Sequence, residues 1–281
     1  MRLGKAIDVF THPDRVVAGV RSETDRAKVA RLFRPFTDHI EWMSVESAEM
    51  TKHALNAFLA TSVTFINEIA ALCEQTGADA SEVERGLKSE TRIGPKAYLS
   101  PGGAFAGGTL ARDIVFLSQL GQVHGVATHL LSSVKTSNDA HRRWAQRRLL
   151  QLLDGVAGRT VAVWGLTYKP GTDTLRRSSA VELCRWLHDQ GATVRAHDPA
   201  VTQLPPDIAS YVRLAGSPLD AAAGASALVV ATPWPEYRQV VAEDVTARMT
   251  RALVLDANRF LGNTLAQNPA VEYLSVGKAS A

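Results

Sequence analysis

Cysteine is scarce: Cys73 and Cys184 are the only two in 281 residues. Two thiols so far apart form neither a metal-ligand spacing nor a disulfide framework, and scarce unpaired cysteines predict a cytoplasmic protein. Each sits in an apolar helical context, Ala70-Ala71-Leu72-Cys73 and Val181-Glu182-Leu183-Cys184. That setting predicts small buried hydrophobes rather than reactive groups. The dinucleotide fingerprint Gly-x-Gly-x-x-Gly is also missing, and Gly102-Gly103, Gly107-Gly108 and Gly165 do not supply it. There is no unbroken apolar run of about 18 residues, so no transmembrane helix is predicted. No secretory signal is visible. Charge of one sign is lacking too. The formal net charge is only +3, and the densest basic cluster, His141 to Arg148, reads as the solvated face of a helix rather than a nucleic-acid surface.

What is present is enough apolar residue, 46% of the chain, for one large or two ordinary domains. Residues 1–43 hold short β-rich pieces, including Arg15–Val20, and a helical pattern over Thr24–Phe33. Residues 44–155 are helical in pattern. Ser44–Thr76 carries an apolar stripe through Ala48, Leu55, Leu59, Val63, Ile66, Ala70 and Cys73, closed by Gly77. Ala80–Lys88, Asp113–Leu120 and Thr128–Leu153 read as further helices around a Gly- and Pro-rich loop at Arg92–Thr109. Asp154-Gly155-Val156-Ala157-Gly158 marks a boundary. From 156 to 281 strands and helices alternate: Thr160–Gly165, Ser178–Gln190, Ala192–His197, Ser217–Ala223, Ala227–Ala231 and Ala252–Asp256. The fold class is therefore α/β, with a doubly wound parallel sheet whose ligands gather at the carboxyl ends of its strands. Gly165–Lys169, Asp198, Thr232 and Asp256 lie at those ends.

Several residues carry candidate chemistry. Lys52 and Asn56 are four apart and share a helix face; an ammonium there suits an oxyanion. The segment Ala104-Phe105-Ala106-Gly107-Gly108-Thr109-Leu110-Ala111-Arg112-Asp113 lets backbone approach a ligand closely. It predicts a helix starting near Asp113, with that carboxylate as N-cap. Lys169, following a strand and a turn, can neutralise phosphate as a point charge.

The ordered set of these segments resembles the UDP-glucose/GDP-mannose dehydrogenase family. Ser47–Ala60 with Ile66-Asn67-Glu68 is similar to its central helix, and Arg92-Ile93-Gly94-Pro95-Lys96 to the following loop. Residues 104–113 are similar to its catalytic loop, and Gly165–Ser178 to the start of its nucleotide-sugar domain. Asp198-Pro199, Thr232-Pro233-Trp234 and Asp256–Arg259 follow in order. The resemblance implies an enzyme that oxidises the C6 hydroxyl of a nucleotide sugar, most simply a UDP-sugar, with NAD, in support of polysaccharide synthesis. It implies a helical central domain at 44–155 that forms a homodimer, a UDP-sugar domain at 156–281, and at 1–43 the last part of an NAD-binding Rossmann domain, so that the chain begins inside a domain.

Carried over residue by residue, Lys52, Asn56 and Asp113 become catalytic, and Thr109 occupies the place of the family's nucleophilic Cys. Arg92, Leu99, Phe105 and Lys169 become substrate-binding. Arg259 joins them one place after Asn258, where the family has Arg. Arg112 and Arg176 become NAD contacts. Leu3 stands where the family has a Glu. Without the thiol and that carboxylate, a nucleotide-sugar-binding or dimerising protein without activity is the competing expectation. A 6-phosphogluconate-type dehydrogenase, sharing the Lys–Asn pair, fits the β/α region less well. No metal site is expected.

Overall fold

The structure, a computed structural model, describes residues 6–279; Leu3 lies outside them. The chain opens with α1 (Ala6–Thr11), β1 (Val16–Gly19), α2 (Glu23–Phe33) and β2 (Ile40–Met43). Strands β1 and β2 pair in parallel, from Val16 opposite Ile40 to Gly19 opposite Met43. Neither α1 nor β2 was legible as a separate element in the sequence.

Five helices follow: α3 (Val45–Thr76), α4 (Ala80–Ser89), α5 (Thr109–Val123), α6 (His129–His141) and α7 (Trp144–Leu153). Ser44 caps α3 by accepting the Ser47 N–H, and Gly77 closes it. Helix α3 is long and apolar enough, by length and composition alone, to cross a membrane. In the fold it packs against α5, α6 and β1. Its buried residues are mostly small or polar, including Asn56, Ala57, Ala60, Asn67, Ala70 and Cys73. The predicted stripe is thus partly corrected: Leu55 is exposed, and two asparagines are turned inward. Small side chains let α5 and α6 come close, in a core of Ala57, Ala60, Ile114 and Val134. The predicted Thr128–Leu153 helical stretch is broken at Arg142–Arg143.

The remainder is β3 (Thr160–Trp164), α8 (Ser179–Asp189), β4 (Thr193–His197), α9 (Pro206–Ala209), β5 (Arg213–Leu214), α10 (Pro218–Ala222), β6 (Ala227–Val230), a 3-10 turn at Pro235–Gln239, α11 (Ala242–Arg248), β7 (Leu253–Leu255) and β8 (Glu272–Leu274). The sheet order is β5-β4-β3-β6-β7-β8, and its pairings are parallel. That is the doubly wound order, with its switch point between β3 and β6. The very short β5 and β8 left no periodic signal.

Alternation along β3 divides the core. Val161 and Val163 face one side with Leu183, Cys184, Leu187, Leu149, Leu153 and Trp144. Ala162 and Trp164 face the other with Leu228, Val230, Val254 and Tyr237. The first side also takes in Ala70, Cys73 and Ala80, so the end of α3 and one face of α7 belong to the core of the sheet. Both cysteines are buried, and burial pushes the Cys184 thiol up to about 12. Neither replaces a catalytic thiolate.

A buried ion pair reinforces this junction. Glu74 Oε2 accepts from Arg148 Nη2 at 2.7 Å, while its Oε1 accepts from Trp144 Nε1 and from the Gly277 amide, each at 2.9 Å. One carboxylate of α3 therefore ties α7 to the chain after β8. Removing it leaves a buried guanidinium unpaired. Glu74→Ala is expected to lower stability by about 3–5 kcal/mol, measured by urea unfolding; a loss below about 1 kcal/mol, the range of an exposed pair, would contradict this.

Candidate functional site

The loop between α4 and α5 runs along the junction of helices and sheet, and its backbone is held by side chains from three directions. The Gly102 N–H donates to Asn67 Oδ1 at 3.0 Å, from α3. The Gly102 carbonyl accepts from His141 Nε2 at 2.8 Å, from α6. The Gly103 N–H donates to Asn258 Oδ1 at 2.8 Å, beyond β7. Asn138 of α6 pairs with both the N–H and the carbonyl of Phe105, each at 3.0 Å. A Cβ on residue 102 would lie 2.4 Å from Asn258 Oδ1, so a larger residue there would displace the Asn258 amide that holds the Gly103 N–H. Burial is the main influence on His141 and lowers its pKa below the ordinary 6.5, with Arg147 adding to the effect and the Gly102 carbonyl and Glu74 opposing it. It is neutral at pH 7 and donates through Nε2.

The opposite wall is the turn after β3. Gly165 takes φ +89°, and a Cβ there would sit 2.4 Å from Thr232 Cβ. Buried Asp198 organises the turn. Its Oδ2 accepts from the amides of Leu166 and Thr167 at 2.6 and 2.9 Å, from Thr167 Oγ1 at 3.0 Å and from Trp234 Nε1 at 3.0 Å. Thr232 Oγ1 closes the switch point by donating to the Thr167 carbonyl at 2.6 Å.

Between these walls lies a cleft of about 900 Å³, ample for a nucleotide-sized ligand. Residues 103–106, Tyr98, His141–Trp144, Thr167–Pro170, Ala231–Pro233 and Asn258 line it. Arg142 pairs with Glu182 across its rim. Of the expected substrate residues, Phe105 and Lys169 line the cleft. Leu99 is buried beside it. Arg92 is exposed and bonded to Glu90 at 3.0 Å, away from the cleft wall. Arg259 requires a correction: its guanidinium is engaged with Asp79 at 2.9 Å, with Ser81, and with Ser275 at 3.0 Å, where it pins the start of α4. Its neighbour Asn258 reaches the cleft instead. Asn67, Asn138 and His141 escaped notice as site-forming residues because amide-to-backbone contacts have no periodicity.

A second cluster lies beside the cleft, where α3 meets the first turns of α5. Helix α5 begins at Thr109 behind Gly108, which offers no side-chain cap. Asp113 is therefore not the expected N-cap; it lies in the second turn and is buried at 1% exposure. Its Oδ2 accepts from Asn56 Nδ2, and its Oδ1 from Arg112 Nε at 3.3 Å. Burial alone would raise the Asp113 carboxyl. The bonds from Asn56 and Arg112 and the nearby charges of His53 and Arg112 outweigh it, so the pKa falls below the ordinary 3.8. Asn56 and Asp113 are brought together as expected, whereas Lys52 and Thr109 are exposed. Arg176 is exposed as well. From Asn56 to Val63, which lines the cleft, is about 10 Å of helix.

NAD requires a Gly-rich strand–helix turn whose amides meet the pyrophosphate. Strand β3 leads into a long loop, and α8 is capped by the Ser178 hydroxyl. Strand β1 leads to α2, whose first turn carries Glu23 and Asp25, an arrangement hostile to phosphate. The described residues do not fit the pyrophosphate.

Sequence models of the UDP-glucose/GDP-mannose dehydrogenase family match this chain twice: the central domain over residues 46–140 and the UDP binding domain over 162–263. Together they take in well over half of it. The chain belongs to this family. It is 33% identical to the UDP-glucose 6-dehydrogenase of Rhizobium meliloti strain 1021 over 284 residues, covering 99% of this chain and 65% of that protein. With the UDP-glucose 6-dehydrogenase of Pseudomonas aeruginosa PAO1 it shares 34% over 292 residues, covering 100% and 64%. It therefore spans just under two thirds of these relatives. Among solved structures, the UDP-glucose dehydrogenase of Pyrobaculum islandicum superposes with a TM-score of 0.85 at 27% identity, covering 99% of this chain and 62% of that one. The UDP-D-ManNAc dehydrogenase of Pyrococcus horikoshii has the same fold, with a TM-score of 0.82 at 23% identity, covering 100% and 64%.

The sign of the Asp113 shift fixes a pH response. Its folded pKa lies below 3.8, so its contribution to stability is complete above that value and is lost as pH falls through the folded one. Asp113→Asn is expected to flatten the fall in stability below about pH 4, measured by chemical unfolding at several pH values; an unchanged profile would contradict the assignment.

Proposed function

We propose that this chain holds a UDP-sugar for oxidation at C6, as the nucleotide-sugar part of an NAD-dependent nucleotide-sugar 6-dehydrogenase of the cytoplasm. The carrying observation is the cleft at the switch point, walled by the clamped 102–105 backbone and by Thr167–Pro170. The nucleotide and phosphates lie there, with Lys169 on the diphosphate, and the hexose reaches along α3 towards Asn56 and Asp113. Lys52 supplies positive charge to the sugar oxygen, while Asn56 and Asp113 set the geometry. The units are the bundle at 44–155 and the sheet domain at 156–281, with 1–43 as part of a Rossmann domain. NAD supplies hydride-accepting chemistry in such enzymes; the described residues offer its pyrophosphate no fitting cradle, and Arg112 and Arg176 are the residues of this chain that would approach it.

Thr109 stands in the place of a cysteine nucleophile. Its hydroxyl stays protonated at neutral pH and is a far weaker nucleophile than a thiolate, so no acyl-enzyme forms on it and oxidation through a thioester is closed. This favours, as a second reading, a protein that binds and dimerises without turnover. UDP-glucose and NAD supplied to this chain joined to an NAD-binding Rossmann domain of the family separate the two: NADH formation supports the enzyme, and tight UDP-glucose binding without it supports the second reading.

Lys169→Ala is expected to weaken UDP-glucose binding by roughly 1.5–3 kcal/mol, the range of a charge-assisted hydrogen bond, measured by calorimetry; unchanged affinity would remove Lys169 from the site. The partner across α3 is a second copy of this chain. Leu55, Phe58, Phe65 and Leu72 are exposed along one face, with the last three spaced by sevens as in a helix–helix seam. Light scattering is expected to give the dimer mass, and Phe65→Glu the monomer mass. A monomer in the unaltered chain would exclude this interface.

A further inference from the structure

Asp113 Oδ1 faces a histidine to which the reading above gives no task. His53 Nδ1 lies 3.5 Å from it. That nitrogen is buried and has no hydrogen-bond partner within ideal geometry. The ring stacks on Phe116, with centroids 4.4 Å apart and planes at 29°. The Asp113 side chain is 2% exposed and the His53 side chain 30%. The pair therefore has an inner carboxylate end and an outer imidazole edge.

A buried carboxylate facing Nδ1 favours the tautomer with its proton on that nitrogen, which leaves a basic lone pair on Nε2 at the far side of the ring. The contact is longer than an ideal bond. In catalytic sites such contacts commonly tighten only when the substrate is seated. Stacking on Phe116 restricts the ring, and Asn56 and Arg112 hold the carboxylate, so neither partner is a mobile surface group. The charged neighbours are Asp113 and Arg112 on α5 and Lys52 and Glu49 on α3. His53 adjoins Lys52 in sequence, and Thr109 is one helical turn before Asp113.

We propose that His53, oriented by Asp113, accepts the proton of the sugar hydroxyl presented at this cluster. The inference rests on the nucleotide-sugar reading of the cleft. The sugar O–H bond breaks, its electron pair stays on oxygen, and an Nε2–H bond forms on His53. The resulting imidazolium is stabilised by the Asp113 carboxylate and the oxyanion by the Lys52 ammonium. The proton transfer is balanced without another reactant.

Nitrogen-15 NMR of the histidine-labelled full chain tests this, with UDP and UDP-glucose as probes. The His53 signal is assigned by its loss in His53→Gln. The expected result is the Nδ1–H tautomer in the free protein and a change at Nε2 on adding UDP-glucose that UDP does not produce. His53→Gln is expected to hold UDP affinity within about twofold and to weaken UDP-glucose binding by roughly three- to tenfold, the worth of one hydrogen bond. The NMR result on the unaltered chain decides the matter if that variant does not fold. An Nε2–H tautomer, or the same His53 response to both ligands while both bind, overturns the role and leaves the nucleotide site standing. Binding of neither ligand overturns both.

Discussion

Everything in the proposed site depends on how the 102–105 backbone is fixed. This segment has no helix or strand to satisfy its amides and carbonyls, and it lies against the junction of two architectures. Three asparagines and a neutral histidine take over that task. Each bond contributes only about 0.5–1.5 kcal/mol net. Leaving these half-buried groups unpaired would cost more, so the contacts act together as one lock. Because Asn67 and Asn138 belong to the bundle and Asn258 follows β7, the lock also sets the distance between bundle and sheet, and hence the width of the cleft.

The same economy recurs at the other wall, where a single carboxylate, Asp198, gathers three amides, a hydroxyl and an indole. These acceptors and donors are spent on backbone shape, and the ligand-facing surface that results is largely backbone, aromatic rings and a few cations. Glu74 and Arg259 act alike at a distance: one ties α3 to α7, the other ties the segment after β7 to the start of α4. Charged residues that could be taken for ligand contacts are in this molecule often structural. The Asn56–Asp113–His53 group differs, since its carboxylate is buried but its imidazole reaches the surface.

Much of the fold was readable in the sequence because it has a period. The α3 helix, its Ser44 and Gly77 ends and the β/α alternation after residue 158 all rest on repeating apolar positions or on turn residues, and they stand in the structure within a residue or two. What escaped had no period. Strands β5 and β8 are too short to alternate. Helix α5 starts four residues earlier than expected because Asp113 turns inward to Asn56 instead of capping. Arg259 looked like a ligand contact from its place after Asp256, yet its left-handed backbone, φ +54°, and its bonds to Asp79 and Ser81 commit it elsewhere. Lys169 was legible as a cleft-lining residue from its place after a strand and turn at the carboxyl end of a doubly wound sheet, whereas Phe105 was named only through the family resemblance; both line the cleft. His53 was passed over, since a histidine beside a lysine on a helix carries no signal until its carboxylate partner is known.

A crystal structure of this chain with UDP-glucose tests the account most directly. It should place the diphosphate between Lys169 and the 103–106 backbone, with the Asn67, Asn138 and Asn258 bonds retained and the hexose directed along α3 towards Asp113. A nucleotide bound outside this cleft, or a 102–105 segment displaced from its three asparagines when the ligand is seated, would contradict it.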